Sequence, residues 1–193
     1  YSLQELEELS AVCRERDLKL FVDGARLAYA LASPANDVTL ADLARLTDVF
    51  YIGGTKCGSL FGEAVVIPER GSIRQFVTQM KQHGALLAKG RLLGVQFEAL
   101  FEDGLYLTIG EPAVKATARI REALKRAGYV VTMDSPTNLT FVALDQAGHE
   151  RLSDKVRYSI WETLPDGRYL ARIGTSWATP EEDVVAFEQA LAR

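Results

Sequence analysis

The chain has 193 residues, 48% hydrophobic and 25% charged, which is the composition of a soluble globular protein with room for one domain or two small ones. A formal charge of −4 leaves no electrostatic footprint for nucleic acid, and no apolar run approaches the ~20 residues that cross a bilayer. No signal-peptide pattern opens the chain, and two cysteines, Cys13 and Cys57, make neither a disulfide framework nor a metal set, so the reading is a reducing cytoplasm without metal.

In chain order, Ser2 followed by Gln4 and Glu5 reads as a helix start. Leu3, Leu6, Leu9, Val12 and Cys13 then give residues 3–16 the spacing of an amphipathic helix. Residues 18–22 form a short apolar strand that ends in Asp23, with Gly24, Ala25 and Arg26 turning away from it. Residues 27–34 are small and apolar and stop at Ser33-Pro34, and residues around 42–46 carry a helix of a turn or two. A second apolar strand, 48–52, runs into Gly53, Gly54, Thr55 and Lys56. Strand, crossover, strand is a βαβ unit whose parallel strands deliver their C-terminal ends to one edge, where ligands of open α/β sheets bind.

Residues 61–68 read as a third strand ending at proline, and 73–102 as a long helix broken by Gly84, Gly90 and Gly94, with His83 and Lys89 on it. Asp103-Gly104 and Gly110-Glu111-Pro112 mark a boundary, giving domains of 1–110 and 111–193. Beyond it the pattern predicts a helix over 114–128, strands at 129–131 and 139–144, a helix over 152–159, a strand at 169–174, and a helix over 181–191 opened by Thr179-Pro180. That order describes a small α+β domain.

The chemistry gathers at the strand ends. An apolar setting lowers the ammonium pKa of a lysine towards the range in which its amine attacks carbonyls, the chemistry of a Schiff base. By itself Lys56 is equally a solvated loop lysine, Asp23 a helix cap and Arg26 a surface cation. Together, an acid, a guanidinium and an amine on one rim suit pyridoxal 5'-phosphate. The lysine bonds the cofactor aldehyde, the carboxylate keeps the pyridine nitrogen protonated, and the arginine holds a carboxylate or phenolate.

Residues 21–27 (Phe-Val-Asp-Gly-Ala-Arg-Leu), 48–56 (Asp-Val-Phe-Tyr-Ile-Gly-Gly-Thr-Lys), 81–91 (Lys-Gln-His-Gly-Ala-Leu-Leu-Ala-Lys-Gly-Arg) and 169–177 (Tyr-Leu-Ala-Arg-Ile-Gly-Thr-Ser-Trp) resemble the low-specificity L-threonine aldolase and β-eliminating lyase family. This family belongs to the aspartate-aminotransferase-like, fold type I group of pyridoxal phosphate enzymes, and the resemblance runs over nearly the whole chain. It implies an α/β fold, with part of the large-domain sheet followed by a small α+β C-terminal domain, and the third strand antiparallel beside the lysine strand. It implies catalytic Lys56, cofactor contacts from Lys56, Asp23, Arg26 and Thr55, and a substrate carboxylate on Arg172 with Arg26 as a second contact. Trp177, Tyr29 and Thr55 either line the pocket or serve core packing or loop support; His83 either reaches a cofactor from a neighbouring subunit or is a partly exposed helix histidine, and Lys81, Lys89 and Arg91 either help hold a phosphate or are a solvated helix face.

The implied reaction is aldol cleavage of a β-hydroxy-α-amino acid, threonine or allo-threonine, to glycine and acetaldehyde in a homodimer or homotetramer. The chain opens Tyr1-Ser2-Leu3-Gln4 without methionine, so it is expected to be the C-terminal portion of a longer enzyme, inactive alone. Alternatives are another fold type I enzyme, a β-eliminating lyase or aminotransferase, and an inactive piece that serves as a scaffold or dimerisation half.

Overall fold

The computed structural model describes residues 1–133 and 135–192. The chain divides into two compact units, Tyr1–Leu31 with Asn36–Thr108, and Ala32–Ala35 with Ile109–Arg193.

The first unit opens with α1 (Leu3–Glu15), started by a capping box in which the Ser2 hydroxyl accepts from the Glu5 amide and the Glu5 carboxylate from the Ser2 amide. Leu6 and Ser10 face inward, and the Ser10 hydroxyl donates to the Leu46 carbonyl at 2.7 Å. That bond ties α1 to α3 (Leu40–Leu46), itself opened by a Thr39–Asp42 capping box.

The expected strand over 18–22 is shorter, β1 (Phe21–Val22). Its approach is tied to the next strand by Asp48, whose carboxylate accepts from the Leu20 amide at 2.8 Å and from Lys19 at 3.1 Å. From β1 the chain passes α2 (Leu27–Leu31) and α3 before entering β2 (Val49–Gly53), which pairs parallel with β1 as the βαβ reading requires. β3 (Glu63–Val66) pairs antiparallel with β2, with Gly53 opposite Glu63 and Phe50 opposite Val66. The order is β1-β2-β3. The C-terminal ends of β1 and β2 and the first residue of β3 therefore share one rim.

The long helix expected over 73–102 is two helices, α4 (Phe76–Gln82) and α5 (Arg91–Phe101). Gly84 ends the first at φ +71°, where the Ala85 amide donates to Met80 and the Gly84 amide to Lys81. This is the six-to-one and five-to-two pairing that a left-handed residue makes at a helix end. His83 caps α4 and Lys89 lies in the link between the helices, so neither is on a continuous helix. After a single 3-10 turn (Glu102–Gly104) comes α6 (Leu105–Thr108), which buries Tyr106 completely.

The second unit begins with α7 (Glu111–Arg126), three residues before the expected start, because Pro112 in the first turn needs no amide partner. Gly128 stops it at φ +83° in the same pairing, Tyr129 to Leu124 and Gly128 to Lys125. β4 (Val130–Val131), β5 (Leu139–Leu144), β6 (Ser159–Thr163) and β7 (Tyr169–Gly174) form an antiparallel sheet in the order β4-β5-β7-β6.

The helix expected over 152–159 lies earlier, as α8 (Gln146–Ser153), because the Asp145 carboxylate caps it by accepting from the Gly148 amide at 2.6 Å. Residues 159–163 are instead the strand β6, exposed along its whole length and so without the alternation that marks a strand in sequence. α9 (Glu181–Ala192) closes the chain's described part. One face of the sheet packs Val142, Leu144, Ala171 and Ile173 against Ile120, Leu124, Leu152 and Val184 from the helices.

Candidate active site

Asp23 is the first residue past β1. Its Oδ1 accepts from the Tyr51 hydroxyl, which rises from β2, and from the Ala25 amide at 3.0 Å. Hydrogen bonds to the charged form, Tyr51 first and Ala25 second, hold the carboxyl below its usual range, and the Lys56 ammonium adds a smaller push in the same direction. The same bond pushes the Tyr51 phenol up to about 12. Both hydrogen bonds fall on Oδ1.

Gly24 lets the two strands come this close. A Cβ there would stand 1.7 Å from the Tyr51 carbonyl oxygen, so no other residue fits without moving β1 from β2. The Gly24 carbonyl in turn accepts from the Gly53 amide at 3.0 Å and the Leu27 amide at 2.9 Å, linking both strand ends to the start of α2.

Lys56 stands on a tight turn whose backbone is held from several sides. The buried Tyr106 hydroxyl donates to the Gly53 carbonyl at 2.9 Å, and the buried Tyr29 hydroxyl donates to the Lys56 carbonyl. Glu63 accepts the Gly54 amide on one carboxylate oxygen at 2.6 Å and the Thr55 hydroxyl on the other at 2.9 Å. The Gly54 carbonyl closes the turn by accepting from the Cys57 and Ser59 amides at 3.0 and 3.1 Å. Gly54 itself is packed, since a Cβ would stand 2.7 Å from the Ser59 hydroxyl and 2.9 Å from the Phe97 ring.

The burial expected of Lys56 is not supplied by this turn: its side chain is exposed, and Cys57, one residue on, takes the inward position at 2% exposure. Burial pushes the Cys57 thiol up to about 11, away from reactivity, and its Sγ lies 3.0 Å from the Gly53 carbonyl.

The structure thus brings Asp23 and Lys56 to one rim, with Arg26 half-buried at the entry to α2 and Thr55 beside the lysine. Thr55 turns its hydroxyl proton to Glu63, so a phosphate oxygen would have to displace that carboxylate to take it. Tyr29 supports the loop by its bond to the Lys56 carbonyl.

Arg172 belongs to the second unit, in register with Phe141 on β5 and Ser159 on β6. It lies on the sheet face opposite the helix-packed one. Its guanidinium carbon sits 4.7 Å from the centre of the Trp161 ring, a cation–π contact, and Trp161 stands edge-on to Phe141 at 6.2 Å. Trp177 is half exposed in the loop after β7.

Sequence reasoning missed Tyr51, Tyr106, Glu63 and Trp161. Tyr51 is the one with a visible signal, a polar-tipped aromatic in an otherwise aliphatic strand. Glu63 acts only through the register that sets it opposite Gly53, and Trp161 lies on the strand whose pattern gave no alternation.

Comparison with known proteins bears on the fold and the family. The chain is 38% identical over 189 residues to a low-specificity L-threonine aldolase of a Pseudomonas species and 30% identical over 189 residues to that of Pseudomonas aeruginosa. Each alignment covers 95% of this chain and 53% of the relative, so the chain spans about half the length of the curated relatives it matches. The solved structure of Leishmania major threonine aldolase superposes with a TM-score of 0.93 at 44% identity, over 100% of this chain and 56% of that one. The fold is accordingly that of the C-terminal portion of a threonine aldolase. The family model described as beta-eliminating lyase matches residues 1–147, three quarters of the sequence and all of the rim just described, and the chain belongs to that family.

Proposed function

We propose that this chain carries the cofactor-anchoring and carboxylate-binding part of a pyridoxal phosphate-dependent lyase. Its reaction is the cleavage of β-hydroxy-α-amino acids, threonine or allo-threonine, to glycine and acetaldehyde. The observation that carries the reading is the pairing of Asp23 and Lys56 at adjacent strand ends, close enough for the lysine's charge to favour the ionised carboxylate. When bound, pyridoxal phosphate supplies an aldehyde for a lysine amine and a ring that takes up the electron pair released as Cα–Cβ breaks.

The residues present fit that group. Lys56 is exposed and offers Nζ from a turn fixed on both sides of it. Asp23, its carboxyl held below the usual range by the Tyr51 and Ala25 hydrogen bonds on Oδ1, would hold the proton on the ring nitrogen of the bound cofactor. Arg172, whose guanidinium lies over the Trp161 ring, would donate bidentately to a substrate carboxylate, and Arg26 would donate to a carboxylate or a cofactor oxygen. The exposed apolar side chains Val77, Leu92 and Val95 on α4 and α5 support assembly as a homodimer or homotetramer.

Adding pyridoxal phosphate is expected to give an absorbance band above 400 nm that borohydride removes and that Lys56→Ala does not form. No band in the parent chain, or an unchanged band in Lys56→Ala, overturns the reading. The family description supports β-elimination as the second activity. Glycine from threonine marks the aldolase, and pyruvate from serine marks the eliminating lyase.

A further inference from the structure

Tyr29, Tyr106 and Glu63 each hold the lysine turn by a different part of it. Tyr29 and Tyr106 are wholly buried and belong to the packing of the first unit, whereas Glu63 is exposed and opens the outer strand of the three-stranded sheet. Its two oxygens take the Gly54 amide at 2.6 Å and the Thr55 hydroxyl at 2.9 Å, the donors of the two residues directly before Lys56. Register makes the reach possible, since Glu63 pairs with Gly53 at the end of β2. Just before it, Gly62 at φ +87° brings its Cα against Leu93 of α5, where a Cβ would stand 2.1 Å from the Leu93 Cδ2.

We propose that Glu63 is a positioning residue for Lys56: it fixes the turn at the two preceding residues and so sets the direction in which the amine leaves the rim. The inference rests on Lys56 being the anchoring amine. A carboxylate can accept two donors at once, and charged acceptors make the stronger bonds. A glutamine at 63 has only one accepting oxygen and would set its amide N–H against one of the two donors. An aspartate is one methylene short of spanning both. Since Glu63 is exposed, either substitution leaves the core as it is. Thr55 then serves through the turn, by spending its proton on Glu63.

The test compares the parent chain with Glu63→Gln, Glu63→Asp and Thr55→Val, first without cofactor. Hydrogen exchange at the Gly54 amide is expected to speed up about tenfold or more in Glu63→Gln, the factor for losing one charge-assisted bond, with an unchanged melting temperature. With pyridoxal phosphate added, the borohydride-reducible band should then form at least several-fold more slowly in Glu63→Gln, with Thr55→Val intermediate and Glu63→Asp partly restored. Equal exchange and equal band formation in parent and Glu63→Gln overturn the positioning role while leaving Lys56 as the anchor. A drop in melting temperature that accounts for the faster exchange also overturns it, in favour of a general structural role. If the parent chain forms no band, the reading of Lys56 fails and takes this inference with it, whatever the exchange data show.

Discussion

In the first sheet the candidate site residues stand beyond the strand ends and are held by polar side chains: Tyr51 on Asp23, Glu63 on Gly54 and Thr55, Tyr29 on Lys56. In the second sheet Val142, Leu144, Ala171 and Ile173 interlock with helix side chains. Its buried polar groups satisfy one another, with Asn138 donating to the Thr175 carbonyl and the Thr175 hydroxyl donating to Ala113 at 2.7 Å. Arg119 of α7 adds an ion-paired clasp to Glu181 and Glu188 of α9. Apolar packing tolerates changes of surface residue and punishes loss of volume. A polar-held rim behaves the other way: small changes of backbone room or of one proton matter.

The largest effect should come from the second unit's interior. Leu124→Ala removes a fully buried side chain and is expected to cost about 2–5 kcal/mol in denaturant unfolding. A cost under about 1 kcal/mol would mean that this core is loosely packed and would dissolve the contrast. Next comes Gly24→Ala, which drives a methyl into the Tyr51 carbonyl. It is expected to destabilise by about 1–3 kcal/mol, as overpacking does, and to abolish the Lys56 band by parting β1 from β2. A Gly24→Ala protein that still forms the band at the parent rate would show that the rim does not depend on that approach.

Tyr51→Phe sharpens the comparison through pH alone. Asp23's folded pKa is depressed, so its ionisation contributes stability above the unfolded carboxyl range, near 3.9, that is lost as pH falls through the folded value. Without the phenol, the largest cause of the depression is gone, and the Asp23 titration followed by carboxyl NMR should move up towards the ordinary value. The tyrosine has the opposite sign: its folded pKa is raised to about 12, so its contribution is complete below about 10 and fades as pH rises through 12. A carboxyl titration unmoved by Tyr51→Phe would break this account of the rim. The smallest effect is expected for Leu92→Ala on α5, 57% exposed, which should stay within about 0.5 kcal/mol in the isolated chain.

The frame of the fold was legible because its signals are local. Ser2 and Glu5 announce α1, Gly128 ends α7, and the aliphatic runs at 49–53, 139–144 and 169–174 are strands where they were expected. What went unread depends on context. Gly84 reads as a kink within one helix, but a left-handed residue that collects two amides ends a helix instead. The helix over 146–153 was masked by Gly148 inside it, although Asp145 was there to cap it. At the rim, Asp23 and Lys56 were visible as residue types after strands, whereas Glu63 became visible only once the register of β3 placed it opposite Gly53.

Cys57 gives the lysine turn a built-in clock. Its thiol is sealed under the turn while Cys13 sits half-buried on α1, so an alkylating reagent meets the two at very different speeds. The slower one can react only when residues 54–59 lift, and its rate therefore counts how often the turn opens, with no cofactor or substrate needed.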